Sequence, residues 1–295
     1  MSIELAGLIR QSTHHLAQAQ VPSPQVDAEL LAGHVLGLSR GEVQAAALIG
    51  RQIPDDAVAA VESLVQERAR RIPLQHLTGR APFRTLELRV GPGVFIPRPE
   101  TEQVVQVVLD RLSEHGPRFP SVLDLGTGSG AIAAAIAAEF PSAEVHAVEL
   151  SAEAAAWAEL NLAPHGVTLH RHDLRRLPEE WVAVFDVVVS NPPYIPPEAV
   201  PTELEVREHD PEVALYGGGD DGLQLPRAVI AAAGRVLKPG GWFIMEHAEA
   251  QADALQQVCT TDPRLTEVTT HPDLTGRPRA TSACVDGSIN TERDV

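Results

Sequence analysis

Apolar positions recur at helical spacing from the first residues to about residue 78, as in "VDAELLAGHVLGL" (26–38) and "DDAVAAVESLVQERARRI" (55–72). Both stretches predict helices, with Asp55 placed to cap the second and no strand pattern between them. The period then changes. "RTLELRV" (84–90) alternates strictly, "GPG" (91–93) turns the chain and "VFIP" (94–97) follows, which predicts a β-hairpin. A boundary between two domains is expected near residues 75–97.

From about residue 100, short apolar runs alternate with helical patterns: "SVLDLG", an alanine-rich helix to Phe140, "EVHAVEL", a helix from Ser151, "VTLHRHD" and "FDVVVSN". Runs apolar at nearly every position belong to strands covered on both faces, so this half predicts a doubly covered, mostly parallel sheet. A helix "LPRAVIAAAGRVL", a strand "GWFIMEH", a helix from about Glu249 to Val258 and two strands, "LTEVTTH" and "RATSACVD", close it. The expected organisation is a helical domain over 1–78, a hairpin linker over 79–98, an α/β domain over 99–286 and a polar tail over 287–295.

Composition narrows the function classes. The net charge of −17 opposes a phosphate backbone, so long nucleic acids are not expected partners. The chain has one lysine, Lys238, which excludes a Walker-type phosphate loop. Cys259 and Cys284 have no metal-type or disulfide-type spacing, and the twelve histidines, "HRHD" (170–173) included, form no ligand motif; no metal is expected. No apolar run approaches the ~20 residues of a membrane span, and a cytoplasmic, monomeric protein is the expectation.

Two motifs carry chemistry. "VLDLGTGSGAIAAAIA" runs a buried strand through Gly126-Thr127-Gly128-Ser129-Gly130 into a helix, so bare backbone meets a helix N-terminus, as in a nucleotide pocket. Its G-x-G-x-G spacing differs from the dinucleotide G-x-G-x-x-G, and Asp124 precedes it; both favour S-adenosylmethionine over NAD. That cofactor offers a carboxylate to the helix N-terminus and an ammonium to Asp124. Glu149, ending the next strand, is placed for the ribose hydroxyls, and Asp173 either for the adenine amino group or as a turn residue.

The second motif is "SNPPYIPP" (190–197), where Pro192 and Pro193 stop the fourth strand. Ligands of open α/β sheets sit outside the carboxyl ends of the strands, which puts Asn191 beside the glycine loop. The Asn191 side-chain oxygen and the Pro192 carbonyl can accept both hydrogens of one planar NH2, and Tyr194 can lie over that flat group. Holding a poorly nucleophilic nitrogen against a sulfonium methyl is catalysis by orientation and charge stabilisation. No general base stands out. The extra proton can leave after transfer.

With these motifs in place, the chain resembles class I methyltransferases of the [N/D/S]-P-P-[Y/F/W] type, and more narrowly the HemK/PrmC family of peptide-chain release factor glutamine methyltransferases. The resemblance rests on "VDAELLAGHVLGLSR", "PLQHLTGRAPF", "FIPRPETE", "VLDLGTGSGAIA", "SNPPYIP", "DPEVALYGGGDDG" and "LTGRPR". It implies a Rossmann-like domain with a seven-stranded, mostly parallel sheet, preceded by the helical domain. It also implies transfer to the glutamine amide in the Gly-Gly-Gln loop of class I release factors, leaving S-adenosylhomocysteine.

Carried over by position, Gly126, Gly128, Gly130, Glu149 and Asp173-Leu174 hold the cofactor, while Asn191, Pro192, Pro193 and Tyr194 grip the glutamine. Phe95, Pro97 and Arg98 wall the pocket, and the N-terminal helices engage the release factor. Two positions depart from the family pattern: Asp210 stands where glutamate is usual, and Ala248 where glycine is.

Rival readings keep part of this picture. The Asn-Pro-Pro-Tyr geometry also suits the amino group of adenine or guanine in DNA or RNA, although a base-flipping enzyme would offer a positive track that this acidic chain lacks. A non-catalytic cofactor-binding interaction module is the reading of another class, opposed by the intact pocket motifs. An NAD oxidoreductase is opposed by the glycine spacing.

Overall fold

A computed structural model describes residues 3–288. Most of the expected polar tail, from residue 289 on, lies outside the described residues. The chain opens with a short strand β1 (Ile3–Glu4), then α1 (Leu5–Gln18), α2 (Pro24–Leu36), α3 (Arg40–Leu48), β2 (Gln52–Ile53), α4 (Asp55–Ala69) and α5 (Leu74–Thr78). A hairpin of β3 (Arg80–Phe83) and β4 (Leu86–Arg89) leads into α6 (Pro99–His115). Strand and helix then alternate through β5 (Ser121–Leu125), α7 (Ala131–Glu139), β6 (Glu144–Glu149), α8 (Ala152–Leu162), β7 (Thr168–Arg171) and β8 (Phe185–Ser190). Three helices follow, α9 (Leu204–His209), α10 (Glu212–Leu215) and α11 (Gln224–Val236). Strand β9 (Leu237–Glu246), helix α12 (Ala252–Thr261) and strands β10 (Leu265–Pro272) and β11 (Pro278–Val285) complete the chain.

These elements gather into two compact units. One is the chain up to Arg80 together with Pro201–His209; the other is Ala81–Val200 with the chain from Asp210 onward. The helical unit is therefore discontinuous in sequence.

In the helical unit, Leu5, Leu8, Leu16, Leu31, Val43, Val61 and Val65 form one core, the inward stripe of the helical periodicity. Ser39 and Glu42 form a capping box at the start of α3. Asp55 sits in the first turn of α4 instead of capping it, because Pro54 occupies the cap position, and there its charge still favours the helix N-terminus. The short antiparallel pair of β1 with β2 has too few residues to show an alternation in sequence.

Two acids of "VDAELL" are buried here and paired. Glu29 accepts from Arg40 at 2.6 Å, and from Gln25 and Gln44. Asp27 accepts from Arg68 Nε at 2.8 Å, and Arg68 Nη2 reaches Glu205 Oε1 at 2.9 Å. Arg71 Nε also donates to Glu205, at 2.9 Å. Burial alone would raise the Glu205 carboxyl, but its donors Arg71 and Arg68 outweigh it and bring it down to about 2.

The other unit is built on a seven-stranded sheet in the order β10-β11-β9-β8-β5-β6-β7, parallel from β9 to β7, with β11 antiparallel to both its neighbours. Side chains alternate across it. Val122, Val187, Val189 and Ile244 face one core with Val104, Val105 and Val108 of α6 and Ile132 and Ile136 of α7. Leu123, Leu125, Val188, Phe243 and Met245 face a second core with Val229 and Ile230 of α11 and Leu255 of α12. Each such fully buried Leu, Ile or Val contributes about 1.5–3 kcal/mol, which explains why these strands read as continuous apolar runs.

The hairpin forms one step earlier than its alternation suggests. Its turn is Arg84-Thr85, with Arg84 at φ +51° and its guanidinium donating to Glu139 at 2.6 and 2.7 Å and to Gln106 at 2.8 Å. The "GPG" and "VFIP" stretches instead pack as irregular chain: Val94 and Ile96 bury against Ala81, Val90 and Ala154. Gly91 is there for close approach, since a Cβ on it would lie 2.4 Å from the Trp157 ring.

At the amino end of β8, Lys238 Nζ bonds both oxygens of Asp186 at 2.9 Å. A cavity of about 130 Å³ lined by Arg111, Lys238 and Trp242 opens beside this pair and contains none of the candidate residues.

Candidate active site

The register of the sheet brings the two motifs together. Leu125 pairs with Ser190, so Gly126 and Asn191 are the next residues of adjacent parallel strands. Ser190 Oγ donates to Leu125 O at 2.6 Å and ties the two strand ends. Glu149 ends β6 on the other side of β5.

The glycine loop has φ values of +74°, +57° and +85° at Gly126, Gly128 and Gly130, conformations only glycine adopts without strain. A Cβ on Gly126 or Gly128 would meet nothing within 4 Å, whereas one on Gly130 would lie 2.9 Å from Leu162. The first two glycines therefore border open space, and the third permits close packing on α8. Gly126 and Thr127 both donate to Val148 O at 2.9 Å, which anchors the loop to β6.

Asp124 is completely buried; its Oδ2 accepts from Thr127 Oγ1 at 2.6 Å, and its Oδ1 has no partner. Burial pushes its carboxyl up to about 7, partly offset by the Thr127 and Ala133 hydrogen bonds. Glu149 accepts from Gly128 N and Ser151 N, both at 2.8 Å. Burial raises this carboxyl too, against those backbone donors. With a third backbone donor, Leu150, three of its roughly four lone-pair sites are used. Asp173 sits just beyond β7, but its two oxygens are engaged by Arg175, at 2.7 to 3.1 Å from the side chain and 2.9 Å from the backbone. That is the turn-residue arrangement. Leu174 packs against the core that contains Leu125 and Val148.

Asn191 is half-buried and Pro192 buried. Asn191 Nδ2 donates to Thr101 Oγ1 at 3.0 Å, and Thr101 Oγ1 donates to Glu246 Oε2 at 2.7 Å. Burial raises the Tyr194 phenol, opposed by Arg279, which also hydrogen-bonds it. The Tyr194 carbonyl accepts from Gln251 Nε2 at 2.7 Å. Nearby, the Arg98 guanidinium lies 5.0 Å from the centre of the Phe95 ring and donates to Asp210 Oδ2 at 2.9 Å. Asp210 thus joins "FIPRPETE" to "DPEVALYGGGDDG", a role for which its residue type gave no signal.

The glycines of that second segment bracket Pro193 and Tyr194. Ile195 N donates to Leu215 O at 2.8 Å and Gly217 N to Ile195 O at 3.1 Å. A Cβ on Gly222 would lie 2.4 Å from the Tyr194 carbonyl oxygen, and one on Gly217 2.8 Å from that of Pro193. Sequence reasoning missed Gly217, Gly222, Gln251 and Thr101 and left Glu246 as a strand-end residue without a role; the run of three glycines (217–219) with Gly222 was the available sign of tight packing. Of the "HRHD" histidines, His170 stacks between His146 and His172 and meets the Trp181 ring edge-on. Among the described residues no group of three or more His, Cys, Asp or Glu side chains is placed to hold a metal.

The PrmC N-terminal domain family matches residues 7–79, and the methyltransferase small domain family matches residues 85–207. The release factor glutamine methyltransferase of Streptomyces coelicolor is 45% identical over 277 residues, 93% of this chain and 96% of that protein. Its counterpart from Mycolicibacterium smegmatis is 46% identical over 279 residues, 93% and 95% of the two chains. This chain belongs to the release factor glutamine methyltransferase family. The Bifidobacterium longum relative, 40% identical over 287 residues and covered to 97%, agrees. As a member of that family the protein is a methyltransferase with the class I fold, and the open space beside Gly126 and Gly128 is its candidate cofactor side.

Proposed function

We propose that this chain transfers a methyl group from S-adenosylmethionine to the side-chain amide nitrogen of the glutamine in the Gly-Gly-Gln loop of class I release factors, in the cytoplasm and as a monomer. The observation that carries the reading is the placement of Asn191, its amide held by Thr101, one residue past the strand that adjoins the glycine loop. The names borne by relatives along nearly the whole chain support the acceptor.

The residues present fit the cofactor. Asp124 has a buried oxygen without a partner, suited to an ammonium, and Glu149 retains acceptor capacity for a ribose hydroxyl. Asp173, already engaged by Arg175, would serve adenine best through the shape of its turn, with Leu174 as an apolar wall. When bound, the cofactor supplies an electrophilic methyl on a sulfonium. Asn191 Oδ1 and the Pro192 carbonyl accept the two hydrogens of the glutamine amide and hold its nitrogen toward that methyl. Pro193 and the Gly217–Gly222 bracket keep the acceptors still, while Phe95, Pro97, Arg98 and Tyr194 wall the flat group. As the N–C bond formed and the methyl–sulfur bond broke, leaving S-adenosylhomocysteine as a neutral thioether, the two carbonyl dipoles would stabilise positive charge on the nitrogen, whose proton would then pass to water.

The test is labelled S-adenosylmethionine with a release factor and, separately, with DNA and RNA, followed by peptide mapping. Label on the Gly-Gly-Gln glutamine is expected, and label confined to nucleic acid would overturn the reading. Asn191→Ala should lower transfer at least ~100-fold with cofactor affinity changed less than about twofold.

A further inference from the structure

Asn191 is the end of a three-residue chain of hydrogen bonds drawn from three elements. Thr101 lies in the first turn of α6, Asn191 just after β8, and Glu246 at the end of β9. Thr101 is 4% and Glu246 2% exposed, so water does not substitute for these contacts. A threonine hydroxyl has one proton. With that proton on Glu246 Oε2 at 2.7 Å, the Thr101 oxygen can only accept from Asn191, and it receives Nδ2 at 3.0 Å.

The shape of an asparagine side chain barely distinguishes its oxygen from its nitrogen. In the opposite orientation Oδ1 would face the lone pairs of Thr101, and NH2 would face the acceptor amide, donor against donor. Burying such a mismatch costs about 1–3 kcal/mol. Burial raises the Glu246 carboxyl to about 7, opposed by the Thr101 hydrogen bond, by Arg279 and by a direct hydrogen bond from the Asn191 side chain, so Glu246 holds the Asn191 NH2 both through Thr101 and itself. The ionised carboxylate is acceptor-only, and in that form it fixes the Thr101 proton toward itself.

We propose that Thr101 and Glu246 are positioning residues that set the polarity of the Asn191 amide, and that this polarity restricts the acceptor to an NH2-bearing group, glutamine over glutamate. The inference rests on the amide-methylating reading of the site. A glutamate carboxylate in the same pose would bring only acceptors against Asn191 Oδ1 and the Pro192 carbonyl.

The decisive comparison is Thr101→Val, which keeps the shape and removes the hydroxyl, against Thr101→Ser, which keeps the hydroxyl. The unaltered chain is first assayed on release factor and on nucleic acid; label in nucleic acid alone defeats the substrate reading, and the Thr101 comparison is then made on that acceptor's amino group. Thr101→Val should lower kcat about 10- to 100-fold, with cofactor Kd within about twofold and KM for the acceptor changed less than kcat. Thr101→Ser should recover kcat to within about threefold of the unaltered chain. Unchanged kcat in Thr101→Val, equal impairment of both variants, or a loss appearing in cofactor Kd and Tm together would overturn the proposal. In the unaltered protein, one Asn191 Nδ2 proton should exchange with solvent at least ~10-fold more slowly than those of exposed asparagines, and exchange at the exposed rate would also overturn it.

Discussion

Asp124 shows how burial, and not residue type alone, sets what a side chain can do. Its carboxyl is pushed up to about 7 by complete enclosure, so near neutral pH it is divided between a protonated form and an ionised form. Only the ionised form attracts an ammonium. Cofactor affinity should therefore fall as the pH drops below 7, by up to about tenfold per pH unit, and level off just above it, with the slope absent in Asp124→Asn; calorimetric titration from about pH 5 to about pH 7.5 checks it. Asp124, Gly126, Gly128 and Asn191 were legible in sequence because each stands at a strand end in a short motif. Thr101 and Glu246 were not, because they lie 145 positions apart and meet only through the pairing of β8 with β9 and the packing of α6. Asp173 is open to both readings by type, as an adenine contact or a turn residue, and the structure adds only that Arg175 engages its carboxylate.

At the scale of elements, the segment from Asp210 to Gly222 supports the strand-end motif from outside the sheet. Gly222 has φ +71° and faces the Tyr194 carbonyl oxygen, so Gly222→Ala meets both backbone strain and a contact too short to keep. We expect this variant to lose about 2 kcal/mol or more of stability and to lower kcat more than it weakens cofactor binding. Denaturant unfolding and steady-state kinetics read the two effects. The alternation of strands and helices was plain in sequence because parallel strands buried on both faces leave unbroken apolar runs. The hairpin was legible in kind but displaced, because "RTLELRV" alternates through a stretch whose first residues, Arg84 and Thr85, form the turn. Three acceptors around the Arg84 guanidinium, Glu139, Gln106 and the Glu102 carbonyl, hold it there, and local periodicity carries no trace of such distant partners.

For the molecule as a whole, the return of Pro201–His209 to the helical unit is the feature least visible in sequence, since nothing in "PTELEVREH" marks it as a partner of α4. Glu205 fastens it through Arg68 and Arg71. Its carboxyl is held below the ordinary glutamate value of 4.5, at about 2, so its stabilising effect is complete above 4.5 and disappears as the pH falls through about 2. Glu205→Gln should cost about 1–3 kcal/mol at pH 7, and its Tm should converge on that of the unaltered chain between pH 4.5 and 2. Removing residues up to 80 would leave this acidic segment attached to the remaining unit without its arginines. A deletion meant to isolate the methyltransferase unit should thus also shorten the 201–209 excursion.

Lys238 offers a practical consequence of an arginine-dominated surface. It carries the chain's one side-chain amine, is 43% exposed, and is bonded to Asp186 at the far end of the strand that leads into Asn191. Asn191 is five residue steps of extended chain from Asp186, roughly 17 Å. An amine-directed fluorophore would therefore attach to the side chains at one defined position, away from the chemistry but within energy-transfer range of a labelled acceptor peptide, giving a binding signal without any engineered cysteine.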